Sequence, residues 1–333
     1  HREFTGDRAR LPHHLRESLA TLNPPIGVFN PRGRPLANID QVALFGGYII
    51  RVIDPNNTHL GSSAIGRYDA RTHGVLQDWW NTALNHYNAP NTSQELRDFI
   101  LNWCSRNPEP GKNWPRRVSI LEFLNGLRHF FPFFRDDPEG LLYYEVFTRQ
   151  FQACQRIGSW DGNIVSIPTN PTWEERAAFD LIEFMLGPIA SGTVGVNEDL
   201  IDSFPRNRFN IMSIHQSKGL EFPMVVVDIG SDFNKNSPQQ RKNRAPEDGE
   251  SSHLLESVMR PYSSGIGVPN RPAVDRAYDD LIRKFFVAFS RPEQVLILVG
   301  LDKSRPHNPV PTSRANNSIL HNVAAGDDRN GTR

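Results

Sequence analysis

Cysteine is scarce: Cys104 and Cys154 are the only two in 333 residues, far apart and with no CxxC pair. That usage argues against a disulfide scaffold and a zinc ribbon, and it fits a reducing cytosol. An excess of either charge is missing too, with 37 Lys+Arg against 37 Asp+Glu. A case for a nucleic-acid partner must therefore rest on local patches rather than on the whole protein's field. The longest apolar runs, such as Met224 to Val227 and Val295 to Val299, are only strand-length. None approaches a membrane span, so no membrane partner is expected. No charged-then-apolar leader follows His1, so the reading is a fragment without a signal peptide, placed in the cytoplasm. A GxxxxGK[ST] phosphate loop is absent as well. The one Gly-Lys, Gly111-Lys112 in "EPGKNWP", has no upstream Gly and no following Ser or Thr.

What is present suffices for two cores, or for one core with a large insertion. Residues 1–55 have α/β character. "IGVFN" (Ile26 to Asn30) is a short strand candidate, "NPRG" is turn chemistry, and "IDQVALFGGYIIRVID" has helical apolar spacing ended by Pro55. Residues 56–199 are mainly helical and rich in aromatics, with Ser93 an N-cap candidate. Strand character returns over 208–230, in "FNIMSIH" and "FPMVVVDIG". Residues 231–275 are a polar loop, "DDLIRKFFVAFS" is a helix, "QVLILVG" is a buried strand, and 303–333 form a disordered tail. The simplest architecture is one α/β domain, in pieces 1–55 and 200–302, interrupted by a helical insertion.

Chemistry concentrates in "IHQSKGLEFPMVVVD", Ile214 to Asp228. A loop from His215 to Glu221 would lie at the C-terminal end of a strand, where open α/β sheets place ligands. Gly219 permits close backbone approach, Lys218 and His215 can meet phosphate oxygens, and Glu221 can accept from a sugar hydroxyl. On residue types alone, a surface loop whose Lys and Glu are merely solvated is the better explanation. A second segment, "RKFFVAFSRPEQ", places Arg291 after an apolar helical face and before a strand. Such an Arg could aim a planar fork at phosphoryl oxygens, although Arg at a helix C-terminus is also common for dipole reasons.

Together and in this order, the two segments resemble motifs V and VI of the UvrD/Rep/PcrA family of superfamily 1 DNA helicases. Motif V there looks like "MTxHxxKGLEF" followed by a strand; here it stands as "MSIHQSKGLEFPMVVV", Met212 to Val227. Motif VI there looks like "RRLxYVAxTRA"; here it is "RKFFVAFSRPE", Arg283 to Glu293. The resemblance covers about residues 10–55 and 205–300, and the helical middle falls where that family carries its 2B insertion.

That resemblance implies a RecA-like, P-loop NTPase-type parallel-sheet domain 2A interrupted by a mainly helical 2B-type insertion. ATP with Mg²⁺ would be clamped between 2A and an N-terminal 1A domain that carries the Walker motifs. Arg291 would be the finger on the γ-phosphate. Glu221 would bind the ribose, with Gly219 and Lys218 lining the phosphate side, and His215 and Ser217 would link the loop to single-stranded DNA. The partners implied are single-stranded and duplex DNA and the missing 1A domain, and the function is ATP-driven translocation and unwinding. The fragment alone would be inactive. Pro292 departs from the family's usual Ala and disfavours helical backbone at Arg291, which bears on where that side chain aims. A different class of function stays open: a non-catalytic nucleic-acid-binding or scaffold module derived from a helicase half. A nuclease fusion finds no support after Val299.

Other features have plainer readings. Trp79-Trp80, Phe130-Phe131, Phe133-Phe134 and Tyr143-Tyr144 are assigned to helical core rather than to base stacking. His13-His14 are exposed helix residues, not a metal site. Arg32 and Arg34 sit in a solvated turn that could equally touch a phosphate backbone. Asp228 ends an apolar strand but is not a Walker B carboxylate, because Ile229 follows it instead of Glu.

Overall fold

A computed structural model describes residues 2–5, 8–60, 69–106, 117–167, 169–197, 204–229, 258, 260–262 and 273–299. Contacts divide the chain into two compact units, His1–Ile211 and Met212–Arg333. Most of the expected 231–275 loop and all of the expected 303–333 tail lie outside the described residues.

The first unit begins with a hairpin, β1 (Phe4–Thr5) against β2 (Arg8–Ala9), followed by α1 (Leu11–Ala20) and β3 (Val28–Phe29). Its centre is α2 (Asp40–Ile53), where Val42, Phe45, Tyr48, Ile49, Ile50 and Val52 are all buried. A helix so apolar around its circumference must be enclosed by others. The enclosing helices are α3 (Ala70–Asn88), α4 (Gln94–Cys104), α5 (Ile120–His129), α6 (Pro132–Asp136) and α7 (Pro138–Ile157). Close approach of α3 to α2 depends on Gly46 and Gly47. A Cβ on Gly47 would lie 2.0 Å from the Trp79 carbonyl oxygen, and one on Gly46 2.6 Å from the Trp79 ring.

Local chemistry explains the element ends. Ser93 caps α4 by accepting from the Leu96 N–H, as the sequence predicts. Helix α2 stops at Ile53, and Pro55 is not the whole reason. The buried Asp54 carboxylate takes the backbone N–H groups of Thr58, His59 and Leu60 at 2.8–2.9 Å, pulling the chain into a turn. The last helical run of the block is not uniform: it consists of α8 (Pro171–Asp180), a π-helical stretch (Leu181–Leu186) and α9 (Gly187–Ala190). Pro188 supplies no N–H and its ring crowds the preceding turn, and the helix widens just before it. The block also holds an antiparallel pair, β4 (Arg117–Ser119) and β5 (Asn163–Val165), at a place the sequence pattern assigns to helix.

The aromatic pairs are core: Trp79, Phe131, Phe134, Tyr143 and Tyr144 are buried, and Trp80, Phe130 and Phe133 pack against them. His13 is half-buried against the Phe4 ring, with its Nε2 3.2 Å from a Glu17 carboxylate oxygen; only His14 is exposed. Strand β6 (Phe209–Asn210) runs parallel to β3 in register Val28↔Phe209, so chain on either side of the helical block meets in one ladder.

A buried ionic network lies beside that ladder. Glu3 is fully buried and accepts from Arg16 Nε at 2.9 Å and Arg34 Nε at 2.5 Å. Arg16 also reaches Glu139 on α7 at 3.0 Å, and Glu139 takes the Asn30 N–H. Burial opposes the Arg16 charge, but Glu139 and Glu3 outweigh it and hold the guanidinium above its ordinary pKa. Asp137 caps α7 through the Glu139 N–H and accepts from Arg208 at 2.6 Å.

The second unit contains β7 (Phe222–Asp228), α10 (Ala273–Phe289) and β8 (Pro292–Val299). Helix α10 begins at Ala273, inside the expected polar loop. β7 and β8 are parallel neighbours with Val226 opposite Ile297, and Leu281, Phe285 and Ala288 of α10 pack with Val227. Parallel neighbours need a crossover, and α10 lies within it. Among the described residues each sheet has two strands, so the observed class is mixed α/β with short parallel pairs.

Candidate nucleotide and nucleic-acid site

The loop before β7 is a run of tight turns. Ser213 and Gln216 clasp each other, Ser213 N–H to Gln216 Oε1 at 2.8 Å and Gln216 N–H to Ser213 Oγ at 3.3 Å. Backbone bonds follow from Ser217 N–H to Ser213 O, Lys218 N–H to His215 O and Leu220 N–H to Ser217 O. Gly219 has φ +83°, a conformation that favours glycine, and nothing lies within 4 Å of where its Cβ would be. The fold therefore presents an open, left-handed glycine at the mouth of a strand.

Side chains divide by exposure. His215, Lys218 and Glu221 face solvent around Gly219. Ser217 does not: it is buried, and its hydroxyl donates to the Ile214 carbonyl at 2.9 Å. Its local work in this structure is to hold the turn. Gln216 was not singled out by the sequence, yet its amide fixes the loop's entry; a Ser-x-x-Gln spacing is the signal that could have found it.

Arg291 meets the same loop. Its backbone carbonyl accepts from the Phe222 N–H at 3.0 Å, so the Arg sits where β8 opens beside β7. Its side chain turns back over the end of α10, with Nε donating to the Val287 carbonyl at 3.0 Å. Nη1 donates to the Leu220 carbonyl at 3.2 Å and Nη2 to Ser290 Oγ at 2.9 Å. Pro292 begins β8, and its opposite number in the ladder is Phe222, next to Pro223; the register shifts between Phe222 and Met224. The structure thus joins the two sequence segments: the Arg291 guanidinium lies on the residue between Gly219 and Glu221. Asp228 ends β7 in register with Val299, at the far end of that strand.

Among the described residues no group of three or more His, Cys, Asp or Glu could hold a metal ion. Among them, too, no helix is long and apolar enough to cross a membrane.

No protein-family model and no solved structure matches the chain. Curated relatives do, and those described here all carry the name of one subunit of an ATP-dependent helicase/nuclease. The chain is 31% identical over 122 residues to the protein of that name from Syntrophomonas wolfei, covering 33% of this chain and 10% of that protein. The one from Pelotomaculum thermopropionicum is 33% identical over 104 residues, 30% of this chain and 8% of the relative. That from Clostridium acetobutylicum is 31% identical over 130 residues, 38% of this chain and 10% of the relative. The chain spans about a tenth of the length of these relatives. Their name agrees with the likeness of the two motifs to superfamily 1 helicases.

Proposed function

We propose that the chain is the 2A/2B part of an ATP-dependent, UvrD-like helicase and supplies one wall of a nucleotide site. One observation carries this reading: the Arg291 guanidinium is fastened to the carbonyl of Leu220, between the open glycine and Glu221. The residues suit ATP. Space around Gly219 admits a phosphate, Lys218 offers a cation beside it, and Glu221 offers an acceptor for a ribose hydroxyl. Arg291 holds three internal hydrogen bonds, each to a neutral oxygen. A phosphate bearing negative charge would compete well for Nη1 and Nη2, because charge-assisted bonds are roughly twice as strong. Arg291 released toward the γ-phosphate would then stabilise the charge that develops during in-line attack by water.

In this reading the two-piece domain 2A is made of residues 1–55 and 200–302, with 56–199 as its insertion; the parallel pairing of β3 with β6 supports it. The Walker loop and the Mg²⁺ ligands would come from a 1A domain in the same protein, and His215 would couple the loop to single-stranded DNA in the cytoplasm, with Ser217 holding the turn that presents it. Stepping follows when 1A and 2A close and reopen with each ATP and alternate their grip on the strand. The relatives' name also includes a nuclease, but this chain spans too little of them for that activity to be carried over.

The test is a steady-state ATPase assay on the 333-residue chain, with and without single-stranded DNA. No turnover above buffer is expected, because one wall of the site is missing. DNA-stimulated hydrolysis by the isolated chain would contradict the reading. A frame extended upstream that holds no GxxxxGK[ST] loop would favour the scaffold alternative.

A further inference from the structure

The Arg51 guanidinium, in the last turn of α2, lies against two rings of α3. Its central carbon is 4.6 Å from the Tyr87 centroid and 6.0 Å from the Trp80 centroid. Its Nε and Nη1 are buried without an acceptor, and so is Nε1 of the neighbouring Trp80. Among the described residues the Arg51 side chain makes no hydrogen bond and no ion pair. The rings and the helix dipole both favour a cation there, but neither occupies an N–H. A buried donor left without an acceptor is costly, and native structures fill nearly all of them.

Arg106 shows how the same helix end satisfies a guanidinium. Its Nη1 donates to the Val52 carbonyl at 2.6 Å and the Trp103 carbonyl at 3.1 Å, and its Nη2 to the Ile53 carbonyl at 3.3 Å. Arg51 has no such carbonyl. A second cation faces the same corner. Arg97 of α4 gives Nη2 to the Ala89 carbonyl at 2.5 Å, two residues beyond Tyr87, and its Nε is buried without a partner. Burial raises the pKa of the Tyr48 phenol, and the charges of Arg51 and Arg97 both act against that rise, so both lie near its hydroxyl. Carboxylates on the surrounding elements are engaged elsewhere or exposed. Asp54 takes the N–H groups of Thr58, His59 and Leu60, Asp98 accepts from Gln94, and Glu174 takes the Ile167 N–H. Asp78 and Glu95 are exposed, and neither pairs with Arg51 or Arg97.

We propose that Arg51, with the Trp80 Nε1–H beside it and Arg97 as a second cation, forms a binding site for a phosphate group in the first unit. The guanidinium has two free forks, Nε with Nη2 and Nη1 with Nη2, and either can hold two oxygens of one phosphate. An oxyanion supplies both things this corner lacks, acceptors and negative charge; water supplies acceptors alone. Free orthophosphate and a phosphodiester of a nucleic-acid strand offer the same chemistry, and the test separates them. The site shares no residue with the loop at 215–221 or with Arg291, so its failure leaves the helicase reading untouched.

Orthophosphate is the first probe, added to the 333-residue chain with chloride holding the ionic strength constant. The parent should broaden the phosphorus NMR line of orthophosphate, and Arg51→Met should not. Urea titration gives a second readout. Phosphate raises every midpoint a little by exclusion from protein surface, so the parent's gain should exceed that of Arg51→Met, while the exposed control Arg156→Met gains as much as the parent. If Arg51→Met does not fold, Trp80→Phe decides. It keeps a ring against the guanidinium and deletes one donor, and should cost roughly ten-fold in phosphate affinity, the low end for a hydrogen bond to a charged group.

Binding of a fluorescein-labelled oligothymidylate across a salt series then assigns the source. A slope of log K against log salt lower by about 0.7 in Arg51→Met marks one lost strand phosphate. An unchanged slope assigns the site to free phosphate. A phosphate line that the parent leaves sharp overturns the proposal. So do equal broadening and equal midpoint gain in the parent and Arg51→Met, or unchanged phosphate affinity in Trp80→Phe.

Discussion

Gly47 on α2 is a position in the first unit where adding a methyl group should be costly. Its Cβ would meet the Trp79 carbonyl oxygen at 2.0 Å and the Ala83 side chain at 2.9 Å. The first neighbour is backbone, so no rotamer change relieves it, and α3 must retreat from α2 by about 1 Å or more. Overpacking of this kind costs about 1–3 kcal/mol, and the backbone obstacle puts Gly47→Ala at the upper end. Alanine returns about 1 kcal/mol of helix propensity, leaving a net loss of about 2 kcal/mol. For a unit of this size that lowers Tm by about 4–8 °C. Gly74 on α3 is the control, since nothing lies within 4 Å of its would-be Cβ. There only propensity acts, and Gly74→Ala should raise Tm by about 2–4 °C. Thermal melts followed by circular dichroism read both. Two substitutions of equal sign would refute the claim that close α2–α3 contact, rather than helix propensity, explains Gly47.

Other expectations concern buried charge. Arg16→Met leaves Glu3 and Glu139 without their shared cation and should destabilise the first unit by about 2–4 kcal/mol, the range for breaking a buried pair reduced for partial exposure. Urea titration reads it; Arg156→Met, an exposed position, should stay within about 0.5 kcal/mol of the parent. His86 is bonded to the Tyr48 hydroxyl at 2.6 Å, and desolvation holds its pKa below the ordinary value. The unfolded chain therefore takes up this proton first as pH falls. Stability from His86 is complete above about pH 6.5 and is lost as the pH drops from there through the lower folded value. A His86→Gln variant should show a flatter dependence of the urea midpoint between pH 7 and 5, and an unchanged slope would remove His86 as the source.

Legibility from sequence followed the range of the forces involved. Helix α2, the Ser93 cap and the strands at Val28–Phe29 and Phe222–Asp228 follow from local periodicity and turn chemistry, and the structure has them. The three-residue strands β4 and β5 are too short for a period of two to register, and their partners are more than forty residues apart. The Glu3–Arg16–Glu139 network was invisible for the same reason, because its members belong together only after α7 meets the N-terminal segment. At the site, the turn at Gly219 was readable from its residue type. The anchor of Arg291 was not, because its partner is the backbone carbonyl of Leu220, which any residue could supply. Ser217 shows the converse. Only the family resemblance, not its residue type, linked it to single-stranded DNA, and the structure gives it a buried local bond within the turn.

The central claim is that Arg291 belongs to a nucleotide site shared with a second domain. DNA-stimulated ATP hydrolysis by the protein in its complete reading frame, compared with Arg291→Ala, tests it most directly. Loss of one such charge-stabilising group costs on the order of 10³-fold or more in turnover, and single-stranded DNA affinity should stay near that of the parent. Near-normal turnover in the variant would remove Arg291 from the site and, with it, the reason for joining the two segments into one mechanism.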